Sequence, residues 1–181
     1  MSYKQYMDSI YIPYYQSTVD KSTFSIKKKI LEDIRDRFSN TLLRSISLEQ
    51  VQNYRIWLLT SEESGGPGYS KSYASLIFGA FRKSLDFALT MGYVEQNISK
   101  RVEAIPKGKA TVPYWTKSEF EAVISKIYIG NTYEHLNFIM LWIYFMTGIR
   151  VNEGCALRWN DVDFKNKKLR IHNMLIIQSK E

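Results

Sequence analysis

Two residues one helical turn apart carry the clearest chemical signal in this sequence. Arg150 follows a Thr147-Gly148 break and opens a predicted short amphipathic helix over Val151 to Leu157, with Glu153 three positions on. A cation at a helix N-terminus sits at the unfavourable end of the dipole, which costs a few tenths to about 1 kcal/mol. A bound phosphate reverses that balance, because the first N–H groups of a helix and a guanidinium fork favour the same anion. Glu153 is placed to pair with Arg150 and hold its fork. The plain alternative is an exposed arginine with an ordinary i,i+3 carboxylate neighbour.

The remaining reactive side chains point elsewhere. His135 falls at a helix start and His172 in a strand, with no metal-ligand spacing between them. Cys155 is the one cysteine, so no internal disulfide and no paired-cysteine metal site can form. Its position on the apolar side of the Arg150 helix predicts a packed core thiol. No tyrosine follows Tyr144.

The chain has 181 residues, 45% hydrophobic and 24% charged, which suits one or two globular domains. Formal charge is +7. Before Pro113 there are 16 Lys and Arg against 11 Asp and Glu, and from Pro113 onward 9 against 7. A basic surplus of this kind suits nucleic acid or an anionic surface. Residues 1–20 are polar and tyrosine-rich without the apolar run of a signal peptide. The most apolar run, Leu136 to Met146, is about half of the roughly 20 residues a membrane span needs and reads as a buried helix. A reducing, cytoplasmic setting without membrane contact is expected.

Helical periodicity defines the elements that would position Arg150. Helices are predicted over about Lys4–Tyr15, Thr23–Phe38 with an Ile26, Ile30, Ile34, Phe38 stripe, Ser47–Thr60, and Ser70–Met91. Lys27, Lys28, Arg35 and Arg37 occupy the other face of the second. Ser47 with Gln50, and Thr116 with Glu119, have capping-box spacing, and Ile46 and Trp115 can staple to Val51 and Phe120. Gly92 stands where a left-handed residue would end a helix. The stretch Lys100–Pro113 is basic and broken by Pro106, Gly108 and Pro113. Beyond it come helices to about Ile127 and over Thr132–Met146. A hairpin then pairs Val162 and Phe164 with Leu169 and Ile171 across a turn near Asn166. The expected organisation is a helical domain over 1–103, a linker over 104–113 and a second domain over 114–181.

The segment TGIRVNEGCALRWNDVDF closely resembles the first catalytic-arginine motif of the tyrosine recombinases, or phage integrases. Arg150, Glu153, Leu157, Trp159 and Asp161 match it in spacing. The helical part resembles that family's SAM-like core-binding domain, with Ala88, Gly92, Tyr93 and Asn97 matching its ending, although Ile98 replaces the usual proline. The implied fold is mainly α: a four-helix core-binding domain followed by the truncated start of a mixed α+β catalytic domain.

The resemblance implies a C-shaped clamp on double-stranded DNA, with the second and fourth helices facing the duplex. Thr23, Lys27, Lys28, Lys71, Ser72, Tyr73 and Arg82 are then expected contacts, with Lys107 and Lys109 in the linker. Lysines would neutralise phosphates and the hydroxyls would set register. Family chemistry is phosphoryl transfer without metal or cofactor, through a 3′-phosphotyrosyl intermediate, by four protomers across two sites of a phage or mobile element. Arg150 would hold the scissile phosphate and Glu153 would support it. The family's lysine is expected on the hairpin just beyond Glu181; Lys180 is close, but its context does not match, and the tyrosine nucleophile is not found here. The chain alone is therefore not expected to recombine DNA. A DNA-binding regulator that competes for recombination sites, and a helical protein-interaction module, are the alternatives.

Overall fold

The first helical passage forms because two local signals agree and one conflicts. Ser2 caps it through a reciprocal box, its Oγ accepting from Gln5 N–H at 3.1 Å and the Gln5 Oε1 accepting from Ser2 N–H at 3.3 Å. Pro13 would then break a regular helix, since it has no N–H and its ring crowds the carbonyl four residues back. The chain relieves this with one wide turn. Helix α1 (Tyr3–Tyr6) runs through a π turn (Met7–Tyr11) into α2 (Ile12–Thr18), where Pro13 falls in the first turn and needs no donor. The passage is continuous from Tyr3 to Thr18, longer than periodicity alone suggests.

In the computed structural model, which describes residues 1–109 and 112–174, the chain divides into two compact units, Met1–Thr111 and Val112–Glu181. In the first unit α1 and α2 are followed by α3 (Lys21–Arg37), α4 (Leu48–Leu59) and α5 (Lys71–Thr90). Ser47 caps α4 through its hydroxyl, as its sequence position suggests, and Ser70 does the same for α5. Gly92 takes φ +73° just beyond α5, a conformation that costs glycine nothing. One hydrophobic core joins all five helices, centred on Tyr3, Tyr6, Phe38, Phe78 and Phe81. Phe38 and Phe81 stack at 4.7 Å and 9°.

The α3 stripe differs from the expected one. Ile30, Leu31, Ile34 and Phe38 are buried, but Ile26 is 74% exposed. The packed line drifts, running through the half-buried Phe24 and Lys27 to Leu31 and Ile34, because a 3.6-residue helix does not keep a strict four-residue repeat facing one neighbour. Part of the basic stretch Lys100–Pro113 packs onto the first unit. After a 3₁₀ turn (Ile98–Arg101), Val102 and Ile105 bury themselves in the core of the first unit. Ala110 and Thr111 of that stretch lie outside the described residues.

The second unit contains α6 (Lys117–Ile124), α7 (Thr132–Thr147), α8 (Val151–Gly154) and a two-stranded antiparallel sheet. Thr116 closes its box with Glu119, and Trp115 lies 6.3 Å from Phe120 as a staple would place it. Strands β1 (Val162–Asp163) and β2 (Lys168–Leu169) pair Val162 with Leu169. The expectation that α7 is a buried helix fails: none of its residues is buried in the described part. Phe120 of α6 covers one side, stacked on Phe145 at 3.9 Å and edge-on to Trp142 at 5.1 Å, and little else covers the helix. Among the described residues, no helix is long and apolar enough to cross a membrane.

A buried polar link fastens α1 to α5. Tyr3 Oη and Ser84 Oγ lie 2.7 Å apart in the core, and Tyr6 Oη donates to the Ser84 carbonyl at 2.6 Å. Burial pushes both phenol groups well above the ordinary tyrosine range, so they stay neutral hydrogen-bonding groups. Ser84→Ala leaves the Tyr3 hydroxyl without that partner and is expected to destabilise the first unit by about 1–3 kcal/mol in urea unfolding. Adding Tyr3→Phe should recover much of the loss; no recovery would mean the link is incidental.

Candidate functional site

Arg150 is set by the elements on either side of it. Helix α7 ends at Gly148, whose φ of +65° reverses the chain, while Thr147 Oγ1 accepts from Ile149 N–H at 3.4 Å. Arg150 is then the N-cap of α8, in extended conformation. Glu153 completes the turn twice over. Its Oε2 accepts from the Arg150 backbone N–H at 2.9 Å and its Oε1 from the guanidinium Nη1 at 3.0 Å. These contacts, the backbone one first, hold the Glu153 carboxyl below the usual glutamate range.

The Arg150 side chain is 85% exposed, and Glu153 is its one ion-pair partner among the described residues. A guanidinium has five N–H donors, so most of its fork remains open to an anion. The helix behind it differs from expectation. α8 is a single turn ending at Gly154, short of Leu157, so its dipole adds little to the charge that the guanidinium itself presents. Beyond it, Asp161 is buried and accepts from Arg158 N–H at 2.9 Å, which closes the Trp159–Asp161 turn leading into β1. His172 Nδ1 lies 3.5 Å from Asp161 Oδ1. Among the described residues no group of His, Cys, Asp and Glu is arranged to hold a metal ion.

Tyr144 is a residue that sequence reasoning missed. Its ring lies against Gly154, where an added Cβ would stand 2.3 Å from Cε1. Its hydroxyl donates to the Val151 carbonyl at 3.3 Å and lies 3.7 Å from Cys155 Sγ. Burial first, and then Cys155, raises its pKa, so this phenol is a prop for α8. Cys155, expected in the core, is exposed, because a one-turn helix cannot turn that position inward.

In the first unit the fold sorts the basic residues. Arg35 is taken up by Asp36 at 2.8 Å and Asp8 at 3.0 Å, Lys29 by Asp33 at 2.8 Å, and Arg37 lies 4.5 Å over the Trp57 ring. Lys27 and Lys28 of α3 form no ion pair within 4.0 Å among the described residues, nor do Lys71, Lys107 and Lys109. Thr23 and Lys28 are exposed in the first half of α3. Lys27 is half-buried, and burial followed by the nearby Lys83 lowers its pKa, which adds Lys83 to the basic face. Arg82 sits 6.0 Å over Phe78. Lys71, Ser72 and Tyr73 open α5, and Gly108 lies beside them, where a Cβ would stand 3.5 Å from Ser72 Oγ and 3.7 Å from Lys71 Cβ. Lys71, Ser72, Lys107 and Lys109 are therefore neighbours, while Arg150 and Glu153 belong to the other unit. Lys180 lies outside the described residues.

This architecture is that of solved integrases. The structure of the Tn1549 transposon integrase (residues 82–397) in complex with circular intermediate DNA matches with a TM-score of 0.75 at 17% identity, over 99% of this chain and 56% of that one. A variant of the same integrase with a second circular intermediate DNA matches at 0.76 and 18% identity, over 99% of this chain and 55% of that one. Residues 114–181 match the model of the phage integrase family. The ICEBs1 integrase of Bacillus subtilis (strain 168) is 24% identical over 166 residues, 91% of this chain and 42% of that protein. Over residues 114–181 the chain is thus similar to the phage integrase, or tyrosine recombinase, family, and its fold is that of the solved integrases. It spans about half the length of the relatives it matches.

Two outcomes follow from this geometry. A depressed Glu153 pKa contributes stability that is present above the ordinary glutamate value and is lost as pH falls through the lower folded value. NMR titration should therefore place the Glu153 midpoint below the usual glutamate range, and Arg150→Ala should raise it; an ordinary midpoint in the wild type would contradict the paired geometry. Gly154→Ala should displace the Tyr144 ring and cost the second unit about 1–3 kcal/mol, read by thermal unfolding together with shifted Arg150 signals.

Proposed function

We propose that this chain is the DNA-binding and first catalytic-arginine portion of a mobile-element integrase that carries out site-specific recombination. The observation that carries this reading is the Arg150 guanidinium, braced by Glu153 yet left open to an anion. A scissile phosphodiester has the charge and the oxygens to take the free N–H groups of that fork. In strand transfer by a tyrosine nucleophile, charge builds on the non-bridging phosphate oxygens, and a preorganised cation stabilises it without reorganising. Attack by the phenolic oxygen would form a 3′-phosphotyrosyl bond and expel the 5′-oxygen, which leaves as a hydroxyl once protonated. The nucleophile would come from a part of the longer protein outside these residues.

The first unit would supply duplex affinity. Lys27 and Lys28 on α3, and Lys71 with Lys107 and Lys109 near the start of α5, are cations without carboxylate partners among the described residues, suited to phosphates. Thr23, Ser72 and Tyr73 are exposed hydroxyls on the same two helices that could set register on the backbone. Arg82 would add charge from the middle of α5. Together the units would clamp duplex core sites, and several protomers would assemble on DNA for the full exchange. The likeness to integrases solved with circular intermediate DNA supports the choice of ligand.

Duplex affinity is expected to fall linearly in log Kd against log salt, and Lys27→Ala with Lys28→Ala should lower that slope by about 2. A flat salt response would contradict DNA binding. In the longer protein, Arg150→Ala should keep duplex affinity within a few-fold while slowing covalent adduct formation by roughly 10²–10³-fold. Unchanged adduct formation would remove Arg150 from the reaction.

A further inference from the structure

Residues 97–109 do not lead away from the first unit. They double back along α5 from its last third to its first turn. Asn97 Nδ2 donates to Asp86 Oδ1 at 3.0 Å and to the Arg82 carbonyl at 3.1 Å, while Asn97 Oδ1 accepts from Ser99 N–H at 3.0 Å. Lys100 Nζ adds an ion pair to the same Asp86 at 2.6 Å. Farther along, Arg55 of α4 donates through Nε to the Glu103 carbonyl at 2.9 Å. Val102 and Ile105 are buried, and Ser75 Oγ donates to the Ile105 carbonyl at 2.7 Å. Gly108 then comes to rest against Ser72 and Lys71. From Asp86 back to Ser72 the helix axis covers roughly 21 Å at 1.5 Å per residue. The strap is thus anchored at four successive levels.

Where the anchors stop, Lys107 and Lys109 flank Gly108 beside Lys71, at the N-terminal end of a 20-residue helix. Three cations at the positive end of a helix dipole repel one another and the dipole. None of them has a carboxylate within 4.0 Å among the described residues. The strap therefore gathers charge at a place where a polyanion would relieve the repulsion. Hydrogen bonds to main-chain carbonyls suit that task, since they locate the backbone whatever the side chains are.

We propose that Ser75 and Arg55 are positioning residues for duplex binding: they pin the strap at Ile105 and Glu103 so that Lys107 and Lys109 join Lys71 in one phosphate-binding patch. This rests on the DNA-binding reading above and assigns that reading a part it lacks. Neither Ser75 nor Arg55 would touch DNA. A freed strap would keep its lysines but spread them over many positions, and their share of counterion release would fall.

The test is a salt titration of binding by the full chain to a short duplex of arbitrary sequence. Lys107→Ala with Lys109→Ala should lower the slope of log Kd against log salt by about 2. Ser75→Ala and Arg55→Gln, made separately and together, should lower it by about 1 to 2 when combined, with both lysines present. Joining the two sets should cost little more than the lysine pair alone, and Ser75→Thr, which keeps the hydroxyl, should restore the slope. Thermal unfolding of each single variant identifies any loss due to misfolding, and the other single variant still tests the idea. If the lysine pair lowers the slope but the Ser75 and Arg55 variants bind like the wild type, the positioning role is overturned and the DNA reading stands. If the lysine pair has no effect, the phosphate reading of these lysines fails, and the positioning role with it.

Discussion

One carboxylate does two jobs in the second unit, and the site depends on both. Glu153 accepts from the main-chain N–H of Arg150 and from its guanidinium. The first contact caps a helix too short to hold itself together, since a single turn gains few hydrogen bonds for the dihedrals it fixes. The second points the guanidinium while using only part of its donor set. A cation that must receive an anion faces opposing demands, because pairing it fully would block it and leaving it unpaired would let it wander. A one-sided carboxylate brace answers both.

The support beneath that brace is built by packing. Gly148 turns the chain out of α7, and Gly154 lets the Tyr144 ring lie against α8, so the turn bearing Arg150 rests on the helix preceding it. The first unit follows the same logic at larger scale. Its aromatic core fixes α3 and α5, acidic neighbours absorb Arg35 and Lys29, and Trp57 takes Arg37, which leaves Lys21, Lys27 and Lys28 as the cations of α3 without ion-pair partners among the described residues. Charge on a helix becomes a binding surface only after the fold has subtracted its internal pairs. Formal charge of +7 says little about where a polyanion would lie.

Local features were legible in the sequence because their causes are local. Ser47 and Thr116 cap the helices their spacing implied, and Gly92 ends α5 in the left-handed conformation. The i,i+3 pairing of Arg150 with Glu153 could be read from spacing as well. Features that depend on distant partners could not. The strap is held by Ser75 and Arg55, 30 and 48 residues from the carbonyls they bind. Ile26 shares the spacing of Ile30 and Ile34 but lies where the core has already drifted around α3. Cys155 looked apolar by helical phase, yet α8 ends one residue before it. The apolar run of α7 reads as buried by composition, whereas burial depends on what else packs against it.

The central claim is that the open side of the Arg150 guanidinium receives a duplex phosphate. Side-chain nitrogen NMR of the isotope-labelled chain, titrated with duplex DNA, tests it most directly. The account predicts that the Arg150 guanidinium resonances move saturably, over the same DNA concentrations as the Lys71 ammonium signal. Lysine signals that move while Arg150 stays at its free position would contradict it.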